Sequence, residues 1–280
     1  MAYLELRDVC KTHGCGEHRT TVFEHVRLTV NEGECVAILG EPGCGKSTLL
    51  SLVAGLTLPD FGSITLAGRP VVGPGPDRLF LSHNCALLPW LSVMDNLMVS
   101  VEGVAVTGSK DSARRQAEKL LDSAGLTSLA RKKPAELSLG LRKRVALART
   151  LAMNPDVLLL DDPFAGLDSA TRSSLQTETA RMLAAENKTC LLATNDAAEA
   201  LLLADRVWLL SPGPRAVLSD AVVVDLPRPR DRRSLQQQGR FNDLRKSLTH
   251  QLRALRERSV RIDAETAAGP HFIAATAASA

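Results

Sequence analysis

Gly40-Glu41-Pro42-Gly43-Cys44-Gly45-Lys46-Ser47-Thr48 matches the phosphate-binding pattern G-x-x-x-x-G-K-[ST] at every position. The flanks are those the pattern needs. Cys35-Val36-Ala37-Ile38-Leu39 is an unbroken apolar run, expected of a strand buried on both faces. Residues 46–54 are rich in Leu and Ala and stop at Gly55, which predicts a helix with a glycine after its end. Glycines at 40, 43 and 45 admit backbone angles and close approaches that a side chain would block. The N–H groups of the loop can then converge on phosphate oxygens, helped by the positive end of the helix behind them. Lys46 offers a point charge to the outer phosphates, and Ser47 offers a hydroxyl to magnesium.

Upstream of this unit, residues 3–9 and 26–30 alternate apolar and polar and read as strands. Downstream, residues 63–67 form another short strand, and a loop heavy in Gly and Pro spans 71–77. Composition changes after about Trp90. Helices are expected over 92–101, 112–124 and 140–153, the second carrying Ala117, Leu120, Leu121 and Ala124 on one face. Val157-Leu158-Leu159-Leu160-Asp161 is a second fully buried strand. Helix 169–186, strand 189–194, helix 197–204 and strand 207–210 come next, and Ser211-Pro212-Gly213-Pro214 marks the end of the alternation. Strands alternating with helices imply a parallel sheet with right-handed crossovers. A basic, Pro-rich extended linker is expected over 228–233. Beyond it, Phe241, Leu244, Leu248, Leu252 and Leu255 fall at helical spacing, an amphipathic stripe suited to packing on the body of the chain. The Ala-rich stretch 264–280 lacks periodicity and is expected to be disordered.

With 45% apolar residues the 280-residue chain can build a full core, but aromatics are only 3%, so Leu, Val and Ala must fill it. A formal charge of +3 argues against nucleic acid as the main partner. The first residues lack the charged-then-apolar order of a signal peptide. No apolar run reaches the ~18 residues of a membrane span. A cytoplasmic protein is expected, peripheral on the inner face of the cell membrane. Six scattered cysteines read as reduced thiols. Cys10, His13, Cys15 and His18 sit too close together for paired zinc knuckles and read as a polar loop between two strands.

A second set of motifs narrows the chemistry. Leu158-Leu159-Leu160-Asp161 ends in a carboxylate suited to holding magnesium through its water shell, and Asp162 comes next, where a water-activating carboxylate would sit. With Leu137-Ser138-Leu139-Gly140-Leu141 and the helix it opens, and with Phe164-Ala165-Gly166-Leu167-Asp168, the chain resembles the ATP-binding subunits of ABC transporters over about residues 3–230. The resemblance implies an α/β fold of the P-loop NTPase, RecA-like type: a parallel-sheet core, an antiparallel β subdomain and an inserted α-helical subdomain. It divides the chain into an ABC-type ATP-binding domain, 1–230, with the helical insert at about 84–155, and a C-terminal tail, 231–280. It also implies ATP and Mg²⁺ as cofactors, with the whole loop from Gly40 to Thr48 on the phosphates and with Ser47 and Asp161 on the metal. Two subunits, identical or not, would sandwich two ATP molecules, each loop facing the Ser138 and Gly140 signature of the other, with Asp168 at the contact. Cys85-Ala86-Leu87-Leu88-Pro89-Trp90-Leu91, Leu167 to Arg172 and Leu226-Pro227-Arg228-Pro229-Arg230 resemble the nitrate, sulfonate and taurine importer ATPases, the nitrate branch most nearly. An integral membrane permease gripped near Leu88, Pro89 and Trp90 is implied, with a periplasmic or extracellular solute-binding protein acting indirectly.

Four positions depart from that family's pattern. His83 stands in place of glutamine, Leu139 in place of the first signature glycine, Asp162 in place of glutamate and Asn195 in place of histidine. Asp is one methylene shorter than Glu, and a misplacement of about 1 Å can cost about 100-fold in rate. Asn195 can donate a hydrogen bond but carries no charge. Two readings result: an ATPase that energises the import of a small anion such as nitrate, sulfonate or taurine, and a hydrolysis-impaired partner of a second, competent ATPase. An ABC ATPase acting on DNA is disfavoured by the near-balanced charge and by the lack of a long coiled coil.

Overall fold

The two apolar runs that precede the phosphate loop and the candidate metal carboxylate are one strand apart in a single sheet. The computed structural model describes residues 2–267 apart from 15, 17, 18, 105–109, 186 and 229. In chain order it has β1 (Leu4–His13), β2 (Thr20–Val30), β3 (Cys35–Gly40), α1 (Lys46–Val53), β4 (Phe61–Leu66), β5 (Arg69–Pro70) and β6 (Arg78–Leu81). Three helices come after these: α2 (Val93–Val104), α3 (Lys110–Ser123) and α4 (Leu139–Ala152). The alternation resumes with β7 (Val157–Asp161), α5 (Ser169–Ala185), β8 (Thr189–Thr194), α6 (Ala197–Leu203) and β9 (Arg206–Leu210), then β10 (Val222–Val223), α7 (Arg232–Gln236) and α8 (Gly239–Ala267).

The larger sheet runs in the order β10-β9-β3-β8-β7-β6 and is parallel except for β10. Pleating sends successive side chains to opposite faces. Cys35, Ala37 and Leu39 join Leu158, Leu160, Cys190 and Leu192 in a core that also takes in residues of α4, α5, α6 and α8. Val36 and Ile38 join Leu159 and Leu191 on the other face, with Leu49, Leu50, Leu52 and Val53 of α1 and the inner side of an antiparallel sheet ordered β2-β1-β4-β5. Val93, Leu97, Val101, Ala117, Leu121, Val145 and Ala148 form a separate small core for the helical insert. With both faces covered, the central strands must be apolar throughout, and β3, β7 and β8 are buried at every position.

Several sequence expectations need correction. β1 and β2 are longer than expected, reaching His13 and back to Thr20. β6 has no counterpart in the sequence reading: it is four residues long and begins at Arg78, too short a run to show a period. The turn at 211–214 does not end the sheet. The chain returns to bridge Ala216 with Phe23, then adds β10 against Val207 and Arg206. The Pro-Arg segment is not a free linker. Arg230 is buried, its guanidinium donating to the carbonyls of Leu201, Ala204, Val224 and Leu226, and Arg228 pairs with Asp205 at 2.7 Å. Five donors on one planar group suit it to collecting carbonyls left over at the end of α6. Helix α8 continues through residues 264–267, where disorder was expected, while 268–280 lie outside the described residues.

Phe241, Leu244 and Leu248 of α8 are buried in the main core, with Leu252 and Leu255 packed at its edge. The Leu248→Ala variant is expected to lose about 2–5 kcal/mol in a chemical denaturation curve. Glu257→Ala, on the exposed side, should change it by less than about 0.5 kcal/mol.

A buried polar chain ties three of these helices together: Arg232 Nη1 donates to Gln176 Oε1 at 2.7 Å, and Gln176 Nε2 donates to Glu199 Oε2 at 3.0 Å. Burial pushes the Glu199 carboxyl from 4.5 up to about 7, against the downward pull of Thr194 and Gln176. The folded protein therefore holds this proton more tightly than the unfolded chain. Stability contributed by the protonated form is lost as pH rises from about 4.5 to about 7, at up to about 1.4 kcal/mol per pH unit, and levels off above that. Glu199→Gln should remove this slope: denaturation at pH 8 is expected to show the variant more stable than wild type, and at pH 4.5 the two should nearly coincide.

Candidate functional site

The carboxyl ends of parallel strands share one edge of the sheet, and loops leaving that edge converge. The phosphate loop leaves β3, Asp161 ends β7 with Asp162 just beyond it, and Thr194 ends β8 between them. In parallel register Asp161 lies opposite Ala193, and Asp162 N–H donates to the Ala193 carbonyl at 3.0 Å. The result is a cleft of about 410 Å³ lined by the loop, His83, Asp161, Asp162 and Ala165.

Lys46 is 4% exposed, and its ammonium donates to the carbonyls of Gly40 and Glu41, each at 2.9 Å. Gly45 has φ +105°, and a Cβ there would lie 2.7 Å from Val22 Cγ1, so glycine is required by both conformation and space. Ser47 Oγ donates to Asp161 Oδ1 at 3.0 Å across 114 residues of sequence. Two hard oxygen donors held together beside a phosphate cradle fit Mg²⁺. Thr48 Oγ1 lies 3.3 Å from His13 Nε2, and Glu41 Oε1 accepts from Arg256 Nη1 of α8 at 3.3 Å. Neither contact was foreseen, because each joins residues too distant in sequence for any spacing rule. Cys44 is buried, and desolvation pushes its thiol up, against the pull of Lys46.

Asp162 adopts φ +43°, in the left-handed region that Asp tolerates better than most residues. Burial raises its pKa, with Lys46 lowering it, the Asp161 charge raising it, and the Asn195 backbone N–H and Lys143 lowering it. A carboxylate shifted upward this way is a better proton acceptor than an exposed one. His83 is exposed at the rim of the same cleft. The Asn195 backbone reaches Asp162, but Asn195 itself lines a neighbouring groove instead.

Lys143 is a neighbour of the site that the sequence motifs did not single out. It is 5% exposed, and its Nζ has no hydrogen-bond partner among the described residues. Desolvation lowers its pKa against the charges of Cys85, Glu199 and Asp162. The signal was present: Lys143 is in helical register with Leu147 and Leu151 on the inward stripe of α4.

The signature residues lie apart from the phosphate loop. Ser138 caps α4, its Oγ accepting from Leu141 N–H at 3.3 Å. A Cβ on Gly140 would meet Thr171 Cγ2 at 2.4 Å, so this glycine is fixed by contact with α5. Ser138 and Gly140 line a depression of about 330 Å³ that shares no residue with the phosphate-loop cleft. Leu139 is partly exposed, with Cδ2 3.2 Å from where a Gly166 Cβ would lie. Asp168 caps α5, accepting from Ala170 and Thr171 N–H at 3.1 and 3.0 Å, and those bonds lower its pKa. A wider groove of about 990 Å³ between α3, α4 and α5 is lined by none of the expected nucleotide-binding residues.

Trp90 is 67% exposed, which excludes it from the core. Cys10 and His13 lie on β1, while Cys15 and His18 fall outside the described residues, and no metal-capable cluster occurs among those described. No helix among the described residues is long and apolar enough to cross a membrane.

Residues 23–165 match the ABC transporter family. The chain is 39% identical over 244 residues to the bicarbonate transport ATP-binding protein CmpD of Synechocystis, covering 87% of this chain and 86% of that protein. It is 37% identical to the nitrate transport protein NasD of Klebsiella oxytoca, covering 88% and 95%. It is 42% identical to the nitrate import ATP-binding protein NrtC of Synechococcus elongatus over 84% of this chain but only 36% of that longer protein. Among solved structures, a dimeric ATP-binding cassette in a post-hydrolysis state with ADP and phosphate superposes with a TM-score of 0.71 at 28% identity, over 80% of this chain and all of the other. The family match over residues 23–165 and the relatives at 37–39% identity over most of both chains show that the chain belongs to the ABC transporter family as an ATP-binding subunit.

Proposed function

We propose that this chain hydrolyses ATP to energise an importer for a small anion of the nitrate or bicarbonate kind. The observation that carries the reading is the contact of Ser47 with Asp161 beside the buried Lys46. Lys46 binds the outer phosphates, Ser47 and Asp161 hold Mg²⁺, and Asp162 accepts a proton from the attacking water. The metal, when bound, neutralises charge developing on the transferred phosphoryl group. Nitrate and bicarbonate are both planar monoanions, and relatives named for each cover most of this chain. Sulfonate and taurine, expected alongside nitrate from the resemblance, are not named among the relatives described above.

The separation of Ser138 and Gly140 from the phosphate loop supports a two-subunit arrangement, in which each signature helix faces the other copy's nucleotide. The segment of half-buried Leu88 and exposed Pro89 and Trp90 then docks on a permease at the inner membrane face, with a solute-binding protein acting on the far side and no nucleic acid involved. A second reading, a slow partner of a competent ATPase, is favoured by Asn195 lining the neighbouring groove and not the phosphate-loop cleft. It is also consistent with relatives from one organism that carry two separate nitrate import names, NrtC and NrtD.

Lys46→Ala should weaken ATP binding about 10- to 100-fold by calorimetry, the worth of a charge-assisted contact. Equal affinity would contradict the reading. Asp162→Glu should raise phosphate release about tenfold or more in the permease-bound assembly, and adding Asn195→His should raise it further, less than additively, since both act on one water and one phosphate. A wild-type rate already in the usual range of about 1–100 s⁻¹ for ATP-driven phosphoryl transfer would remove the slow-partner reading. Trp90→Ala should reduce co-purification with the permease while leaving ATP affinity unchanged. Undiminished co-purification would show that this segment is not the docking surface.

A further inference from the structure

The groove beside Asn195 has a chemistry of its own. It measures about 760 Å³ and runs between the start of α6 and the two tail helices, sharing no lining residue with the phosphate-loop cleft. Its walls carry Arg232, Arg245, Lys246 and Arg253, together with His250. The one carboxylate among the lining residues, Asp196, is engaged in capping α6 through the N–H groups of Ala198 and Glu199. Leu39 and Leu252 supply an apolar floor.

The pairing of cations along α8 is selective. Arg240 and Arg256, at either end of the stretch, pair with Asp225 at 2.8 Å and Glu41 at 3.3 Å. Arg245, Lys246 and Arg253 between them have no ion-pair partner among the described residues, and all three are exposed to the groove. They fall at i, i+1 and i+8, so they share one side of the helix, beside the stripe that packs into the core. Like charges this close repel, a cost that a counter-anion relieves. Arginine forks suit phosphoryl oxygens, and three or more cations call for a ligand with at least two negative charges. A concave wall of convergent charge over an apolar floor is the usual form of a small-ligand site.

We infer that this groove is a second anion site that takes a small phosphorylated molecule carrying two or more negative charges, held by Arg245, Lys246 and Arg253. Its position gives it a route to the nucleotide. Asn195 lines the groove while its backbone reaches Asp162, and Arg256 on the same helix holds Glu41 of the phosphate loop. A ligand that repositions α8 therefore acts on both walls of the ATP cleft.

The test uses the full chain and pyrophosphate, at fixed ionic strength, in isothermal calorimetry. Lys46→Ala weakens the phosphate loop's hold on the probe about 10- to 100-fold, so the tighter binding that remains reports the groove. Pyrophosphate should bind this variant with one site, and the added triple change Arg245→Gln, Lys246→Gln, Arg253→Gln should weaken it at least tenfold. In the unmutated chain two sites are expected, of which the triple change alone leaves one, which keeps the test valid if Lys46→Ala folds poorly. A single site in the unmutated chain that is unaffected by the triple change overturns the inference. So does equal binding of citrate, which would mark unselective attraction to surface cations.

Discussion

The hydrogen bond from Ser47 to Asp161 depends on parallel register held across three buried strands. Ser47 lies in the first turn of the helix after β3, Asp161 closes β7, and β8 separates the strands. A one-residue slip in either ladder would turn Asp161 into the opposite face of the sheet and carry it away from the loop. The register is secured because β3, β7 and β8 are buried on both faces and each alternate side chain belongs to a different core. Packing on two faces thus fixes the geometry of a polar site at the sheet edge.

The same edge concentrates charge. Lys46, Asp161, Asp162 and Lys143 lie near one another with little solvent, and the shifts at Asp162 and Lys143 are set by burial first and neighbours second. A buried ammonium without a hydrogen-bond partner among the described residues, as at Lys143, costs stability. It sits on the signature helix, close enough to Asp162 to lower that group's pKa. The helix that would face a partner's nucleotide is therefore electrostatically linked to the carboxylate of its own site.

The tail adds a second layer. Arg230 gathers the carbonyls at the end of α6, α7 joins the Gln176–Glu199 chain, and α8 seats Phe241, Leu244 and Leu248 in the main core. The segment beyond the last parallel strand is thus part of the structure that supports Asn195 and the phosphate loop, and its outer face carries charge rather than apolar surface.

Local sequence determined the phosphate loop, the two buried strands framing its chemistry, the signature helix and the amphipathic stripe of the tail. Each is a short-range pattern of about 5 to 20 residues, in which side-chain type and period alone select the conformation. The candidate residues Lys46, Ser47, Asp161 and Asp162 were legible for that reason, and the structure brings them into one cleft. The partners of Thr48 and Glu41, the four-residue edge strand β6, the burial of Arg230 and the outward placing of Asn195 were not legible. Each is decided by contacts between residues far apart in the chain, where no spacing rule reaches. The buried Lys143 stood between the two cases: its place on the inward stripe of α4 was readable, but only the packing of α4 against the sheet left its ammonium without a partner among the described residues.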